Sequence, residues 1–362
     1  METGLEGVKA LLDQGVDEAG IFEKARQVRA AHFGDEVFAY GFNYFSTYCV
    51  NHCSFCHYRS DNQEAIRYRN NMAEVVEDAK RLADSGVHLI DLTMGEDPYY
   101  SQQPERLADL IYHVQSATGL PVMISPGLAT PEQLILFKQA GAVWLALYQE
   151  TFNRDAYRRL RIDQDFDRRM QLKKDAVRIG LLLEEGVMTG WGDSTADAAE
   201  SILHMDSAHP SQIRVMTFVP QEGTPLEGRP PQNSERELLM IAIMRILYPD
   251  KLIPASLDVE GPKGLKDRLN AGANVITSLI PPCSGLLGVA RRSDIEDGGR
   301  TLPQILPIIN SVGLRLASSS SYEEYVQAAL ESHVRNGYTG KGEQGFLEQQ
   351  IEEPAFADQV VI

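Results

Sequence analysis

The chain opens on two stretches of helical period. Leu5, Val8, Leu11 and Leu12 form one apolar stripe, and Ile21, Ala25 and Val28 continue it to about residue 34. From residue 36 the period changes, and short runs rich in β-branched and aromatic residues alternate with longer amphipathic segments. Runs at 37–45, 87–93, 121–125, 143–148, 181–189, 213–219, 253–259 and 274–280 predict strands. The segments 72–85, 104–118, 130–140, 166–179, 195–206, 234–247 and 264–271 predict helices. Thr130 before Pro131 and Glu132 offers an N-cap with proline at the first helical position, and Ser234 precedes Glu235 and Glu237.

Eight strand–helix units with no linker between them predict an α/β protein, a single (β/α)8 TIM-type barrel. An open, doubly wound sheet is the alternative. The expected layout is an N-terminal helical extension over 1–34, the barrel over 35–285, and C-terminal helices with an acidic tail over 286–362. Within that last part, 302–312 predicts a helix, 318–321 a turn and 343–358 a solvated acidic stretch.

Side chains of a barrel strand alternate between the interior and the helix layer. Ile90 and Leu92 suit the helix layer, which turns Asp91 and Thr93 inward. The same parity turns Trp144, Tyr148 and Glu150 inward on the fourth strand, Arg214 on the sixth, and Ser256 and Asp258 on the seventh. Four strands thus place a charge inside the barrel, where an uncompensated charge is costly. A polar ligand accounts for this, as does mutual pairing of the charges.

Composition narrows the partners. Of 362 residues, 43% are hydrophobic and 23% charged, ordinary globular usage, and the formal net charge is −17. That balance argues against nucleic acid, which needs clustered Lys and Arg. No apolar run approaches the ~20 residues of a membrane helix, and the first residues lack a basic segment followed by an apolar one. A cytoplasmic protein with a small-molecule partner is expected, with no nucleic acid and no membrane. There are four cysteines, and Cys49, Cys53 and Cys56 lie within eight residues of each other. In a reducing compartment such clustering indicates metal ligation.

The spacing C-x3-C-x2-C directly follows the first strand. Three thiolates fill three corners of a cubane cluster and leave its fourth iron open. The competing reading is a zinc site completed by His52 or His57, but structural zinc usually recruits a second, distant cysteine pair, which is missing here.

This motif, with Phe55 inside it, resembles the radical SAM superfamily. The resemblance implies one 4Fe–4S cluster on Cys49, Cys53 and Cys56, S-adenosylmethionine (SAM) on the open iron, and a reduced flavodoxin or ferredoxin-type electron donor. It also implies cleavage of SAM to a 5′-deoxyadenosyl radical. Met94-Gly95-Glu96 is similar to the Gly-Gly-Glu segment that receives the SAM amino group, with methionine in place of the first glycine. Gln149-Glu150-Thr151 and residues 166–170 resemble a segment shared by biotin synthase, the iron-only hydrogenase maturase and methylornithine synthase. There, the resemblance implies, Glu150 touches the nucleoside and Arg169 pairs with the SAM carboxylate. Gly186-x-Met188-x-Gly190 resembles the adenine-packing segment.

Biotin synthase carries cysteines for a second cluster, and here only Cys283 remains. The interior charges are more informative. Arg214 matches an α-carboxylate, and Asp91 and Asp258 match two ammonium groups, with Ser256 as a neutral neighbour. Together with Thr277 and Ser278 on the eighth strand and the following Pro281-Pro282, this set resembles the methylornithine synthase family of pyrrolysine biosynthesis. The resemblance implies a mutase that converts lysine to 3-methylornithine. Hydrogen abstraction from the side chain would be followed by scission of the Cα–Cβ bond and recombination of the glycyl and aminobutene fragments. A hydrogenase maturase-like enzyme acting on another small amino acid is the alternative.

Overall fold

The computed structural model describes residues 4–13, 17–281 and 300–339. Cys283, Pro282 and the acidic stretch at 343–358 lie outside the described residues. Eight parallel strands follow one another: β1 (Glu36–Ser46), β2 (Leu89–Met94), β3 (Val122–Ser125), β4 (Ala142–Ala146), β5 (Leu182–Thr189), β6 (Gln212–Thr217), β7 (Pro254–Ser256) and β8 (Val275–Leu279). Their order is β6-β5-β4-β3-β2-β1-β8-β7. The ring closes through a single parallel bridge, Gln212 to Leu252, where β6 meets the approach to β7. The chain is therefore a (β/α)8 barrel with one weak seam.

Between the strands, the helices begin and end where their caps require. The Met72–Asp84 helix carries a complete capping box from Asn71 and Glu74, and Thr130 with Gln133 does the same for Pro131–Gln139. The Pro104–Thr118 and Phe166–Ile179 helices stop at left-handed Gly119 and Gly180. Apolar residues such as Ile90, Leu92, Ile124, Leu145, Ile213 and Val215 pack outward against these helices. The two N-terminal helices, Leu5–Leu12 and Glu18–Phe33, rest on the Thr195–His204 and Glu235–Leu247 helices.

Inside, the barrel is layered. Its lower half is filled by Phe38, Tyr40, Leu89, Met123, Trp144 and Leu182. The Ser319–Arg335 helix closes this end: Tyr322 donates to Tyr40 Oη at 2.9 Å, and the His88 ring joins Ala39 N to Ala317 O. The upper half is polar. A packed floor under a polar mouth puts ligand chemistry at the carboxyl ends of the strands, as in barrels generally. No helix among the described residues is long and apolar enough to cross a membrane.

Two local expectations change. The run at 318–321 is the start of a helix: Ser318 accepts the Ser321 N–H at 3.1 Å and caps it. The seventh strand ends at Ser256 because the chain then curls, with Gly261 N–H donating to Leu257 O at 3.1 Å. Asp258 thus stands on the turn above the strand. A ninth strand, β9 (Arg315–Leu316), pairs with the start of β1 outside the ring.

Candidate active site at the carboxyl ends of the strands

The loop after β1 is tied down by its own backbone. The Arg67 guanidinium donates to the carbonyls of Thr47, Tyr58, Arg59 and Asn62. Ser54 N–H reaches Leu160 O at 2.8 Å and Val50 N–H reaches Glu96 O at 3.1 Å. The loop lies so close to the end of β2 that a Cβ on Gly95 would fall 2.3 Å from Tyr48 O and 2.8 Å from Cys49 Cβ. Glycine there is a steric requirement of the cysteine loop.

Cys49, Cys53 and Cys56 are free thiols, the second buried and the others half-buried. Burial pushes the Cys49 and Cys56 thiols up, which a bound metal's charge would reverse. Donors already face the sulfurs: Asn51 and Glu96 N–H point to Cys49 at 3.5 and 3.3 Å, and Gln164 Nε2 points to Cys53 at 3.0 Å. Among the described residues no three His, Cys, Asp or Glu side chains converge on one ion. A cubane spreads its thiolates over three irons, and the N–H donors aimed at the sulfurs suit its charge. The residues present fit a cluster.

Beside the thiols lies a cavity lined by Gly95, Glu96, Ser125, Tyr148, Glu150, Arg161 and Arg169. Glu96 Oε2 accepts from Asn51 Nδ2 at 2.9 Å and from Leu128 N–H at 3.2 Å. Glu150 has φ of 67°, a left-handed backbone that a non-glycine residue adopts only under constraint. The bridge to β5 holds it, with Glu150 N–H on Gly186 O and Met188 N–H on Glu150 O. Behind it, fully buried Lys173 joins Glu185 and Gln149 and pins the end of β4 to β5.

Glu150 and Arg169, both at this cavity, do not pair with each other. The Glu150 carboxylate takes Arg161 Nη2 at 2.5 Å. Arg169 instead donates to Tyr148 O at 2.7 Å and to Gln164 Oε1 at 3.3 Å, and among the described residues it has no carboxylate partner. Burial and then repulsion from Arg161 lower its pKa to about 10. A buried guanidinium without a counter-anion is an anion site. Phe55 lines both this cavity and a second one, and Met188 lines the second.

That second cavity, about 160 Å³, runs down into the barrel. Asp91 and Arg214 line it, as strand parity implied, and Asp258 reaches it from the turn above β7. Arg214 Nε donates to Glu184 Oε1 at 2.7 Å and its Nη1 to Thr277 Oγ1 at 3.1 Å, while Nη2 is buried without a partner. Glu184 also takes Gln212 Nε2 at 2.6 Å and Tyr148 Oη at 2.7 Å. Asp258 accepts from Arg300 Nη1 at 2.9 Å, Ser278 Oγ at 2.6 Å and Tyr44 Oη at 3.0 Å. Ser256 Oγ lies 3.4 Å from Ser278 Oγ, and Ser278 has φ of 66°.

Asp91 is different. It accepts from neutral Thr93 Oγ1 at 2.9 Å, and burial, then repulsion from Glu184, raise its pKa to about 8. Asp91, Glu150 and Asp258 line this cavity together with Arg214. Glu150 is paired with Arg161, Glu184 with Arg214 and Asp258 with Arg300, so among these carboxylates Asp91 is the one without a guanidinium, and its raised pKa keeps it protonated near neutral pH.

Sequence reasoning missed Glu184, Arg161 and Arg300. For Glu184 a signal existed: adjacent Glu184 and Glu185 on one strand must face opposite sides, so one had to point inward. Arg161 and Arg300 lie off the strands, where no period marks them.

The Radical SAM superfamily pattern matches residues 43–204. The 3-methylornithine synthase of Methanosarcina barkeri is 44% identical over 304 residues, covering 84% of this chain and 87% of that one. The hydrogenase maturase subunit HydE of Thermotoga maritima is 32% identical, over 75% of this chain and 78% of that one. The crystal structure of methylornithine synthase (PylB) superposes with a TM-score of 0.86 at 41% identity, covering 90% of this chain and 97% of that one. With that extent of likeness in sequence and in fold, the chain belongs to the radical SAM superfamily and, within it, to the methylornithine synthase family.

Proposed function

We propose that the chain isomerises L-lysine to 3-methylornithine, using one 4Fe–4S cluster and SAM. The observation that carries this reading is Asp91, the carboxylate without a guanidinium, in one cavity with the unpartnered edge of Arg214. Lysine carries two ammonium groups and one carboxylate, a net charge of +1 that an ionised Asp91 balances. The cavity that holds these groups measures about 160 Å³.

Cys49, Cys53 and Cys56 would hold the cluster. Gly95, Glu96, Glu150, Arg169 and Met188 would hold SAM, with Arg169 on its carboxylate. When bound, these two groups supply the radical that takes a hydrogen atom from the substrate side chain. The chain's own residues then keep two fragments in place. Arg214, held by Glu184 and Thr277, fixes the carboxylate-bearing fragment. Asp91 holds one ammonium group, and Asp258, held in turn by Ser256 and Ser278, faces the other. Packed Trp144, Met123 and Tyr40 below exclude water from the radical. The cluster loop reaches the surface at Tyr48 and Val50, which are exposed on either side of Cys49, and the electron donor would dock there.

Isomerisation conserves the atoms of lysine, so the hydrogen can be returned after each cycle. Anaerobic turnover with limiting SAM tests this. Several molecules of product per SAM consumed support the mutase, and consumption of one SAM for each product contradicts it.

A further inference from the structure

The cluster cysteines meet different kinds of donor. Cys49 faces the backbone N–H of Asn51 and Glu96, and Cys56 that of Tyr58. Cys53 is approached by side chains. Gln164 Nε2 lies 3.0 Å from its sulfur and Arg161 Nη1 lies 3.8 Å away. Arg161 is buried, its Nη2 is on Glu150 at 2.5 Å, and its guanidinium sits 5.6 Å from the centre of the Phe55 ring. Neither Arg161 nor Gln164 is among the residues assigned above to hold the cluster, SAM or substrate.

We infer that Arg161 and Gln164 set the reduction potential of the cluster by acting on the Cys53 sulfur. On reduction the cluster gains one electron from its donor, and no bond is made or broken. The added negative charge is stabilised by hydrogen bonds to sulfur and by a nearby cation, and both raise the potential. Backbone donors at Cys49 and Cys56 are fixed by the fold. At Cys53 the donors are replaceable side chains, and one is a full charge in a buried setting, where water screens it least. Glu150 partly offsets that charge, because it takes the other edge of the same guanidinium. The three residues form one chain from the SAM-side carboxylate to a cluster ligand. Arg161 is thus a positioning and tuning residue acting through Cys53.

The inference rests on the cluster assignment and not on the identity of the substrate. It is tested without SAM or lysine, on the full chain reconstituted anaerobically, by a potentiometric titration followed by electron paramagnetic resonance. Arg161→Gln and Gln164→Leu should each shift the midpoint to lower potential, and Arg161→Lys should restore most of the parent value. Glu150→Gln, which frees the guanidinium of its counter-charge, should move the midpoint the opposite way. A purely structural role gives no such reversal of sign. Midpoints equal to the parent in variants with full iron content overturn the inference. If Arg161→Gln takes up no iron, Gln164→Leu decides alone, and an unchanged midpoint there has the same consequence.

Discussion

Arg214 and Glu184 meet at 2.7 Å inside the barrel, from neighbouring strands β6 and β5, both almost wholly buried. The carboxylate holds the guanidinium so that Nη2 is left facing no protein acceptor. Burial works against the Arg214 charge, but Glu184 overrides it and keeps the guanidinium firmly protonated. Removing one partner of a buried pair costs roughly 3–5 kcal/mol. Glu184→Ala should lower stability by about that much in denaturant unfolding. The gentler Glu184→Gln should keep iron and SAM binding but weaken lysine binding, because it leaves the Arg214 charge uncompensated and makes the barrel more positive. Unchanged lysine affinity in Glu184→Gln would mean that the charge balance does not select the ligand.

Asp91 makes ligand binding depend on pH. An ordinary aspartate ionises near 4, whereas the empty barrel raises Asp91 to about 8. Between these values the folded chain holds a proton that the unfolded chain has lost. The Asp91 contribution to stability therefore falls as pH rises through that window. An ammonium group beside Asp91 favours the charged form, so lysine binding below pH 8 must expel the proton. Affinity should rise with pH by up to about tenfold per unit below 8 and then level off. Calorimetry in buffers of different ionisation enthalpy measures the proton release. Asp91→Asn should abolish it, and a parent chain that releases no proton would refute the assignment.

Arg169 lacks a carboxylate partner among the described residues and has one role in this account, to pair with the SAM carboxylate. Arg169→Ala should weaken SAM binding by roughly 1.5–3 kcal/mol, with iron content unchanged. Arg169→Lys should recover only part, since lysine lacks the two-pronged donor geometry. Parent-like SAM affinity in Arg169→Ala would make it a strut for Tyr148 O instead.

Gly95 tests the seat of the cluster. A methyl group there meets Tyr48 O at 2.3 Å, so Gly95→Ala must displace the cysteine loop. Its iron content should fall well below the roughly four atoms one cubane requires. Gly228→Ala, where an added Cβ meets nothing within 4 Å, is the control and should hold its iron. Equal iron in both variants would show that the loop tolerates the shift.

How much of this was legible beforehand follows from the range over which each signal acts. Alternation along a strand is local, so Asp91 and Arg214 could be turned inward from sequence, and the structure places both on the cavity. Partners are not local. Glu184 reaches Arg214 across a strand pair, and Arg300 reaches Asp258 from 42 residues away. No period or motif records either contact, so charges expected to await substrate are partly matched within the protein. The alternation through 253–259 outlasts its strand, since a turn can continue an alternating pattern without hydrogen-bonding to a neighbour. A serine run reads as a turn because serine competes for its own backbone, and at Ser318 that same ability caps a helix.

The most direct test of the central claim is mass spectrometry of the products from isotope-labelled lysine, with SAM, reductant and anaerobically reconstituted chain. A lysine mutase yields a labelled product of unchanged mass and altered retention, lost in Arg214→Lys and Asp258→Asn chains that still hold cluster and SAM. Lysine recovered unchanged, while SAM is cleaved and another amino acid is converted, would contradict the mutase and leave the radical SAM chemistry standing.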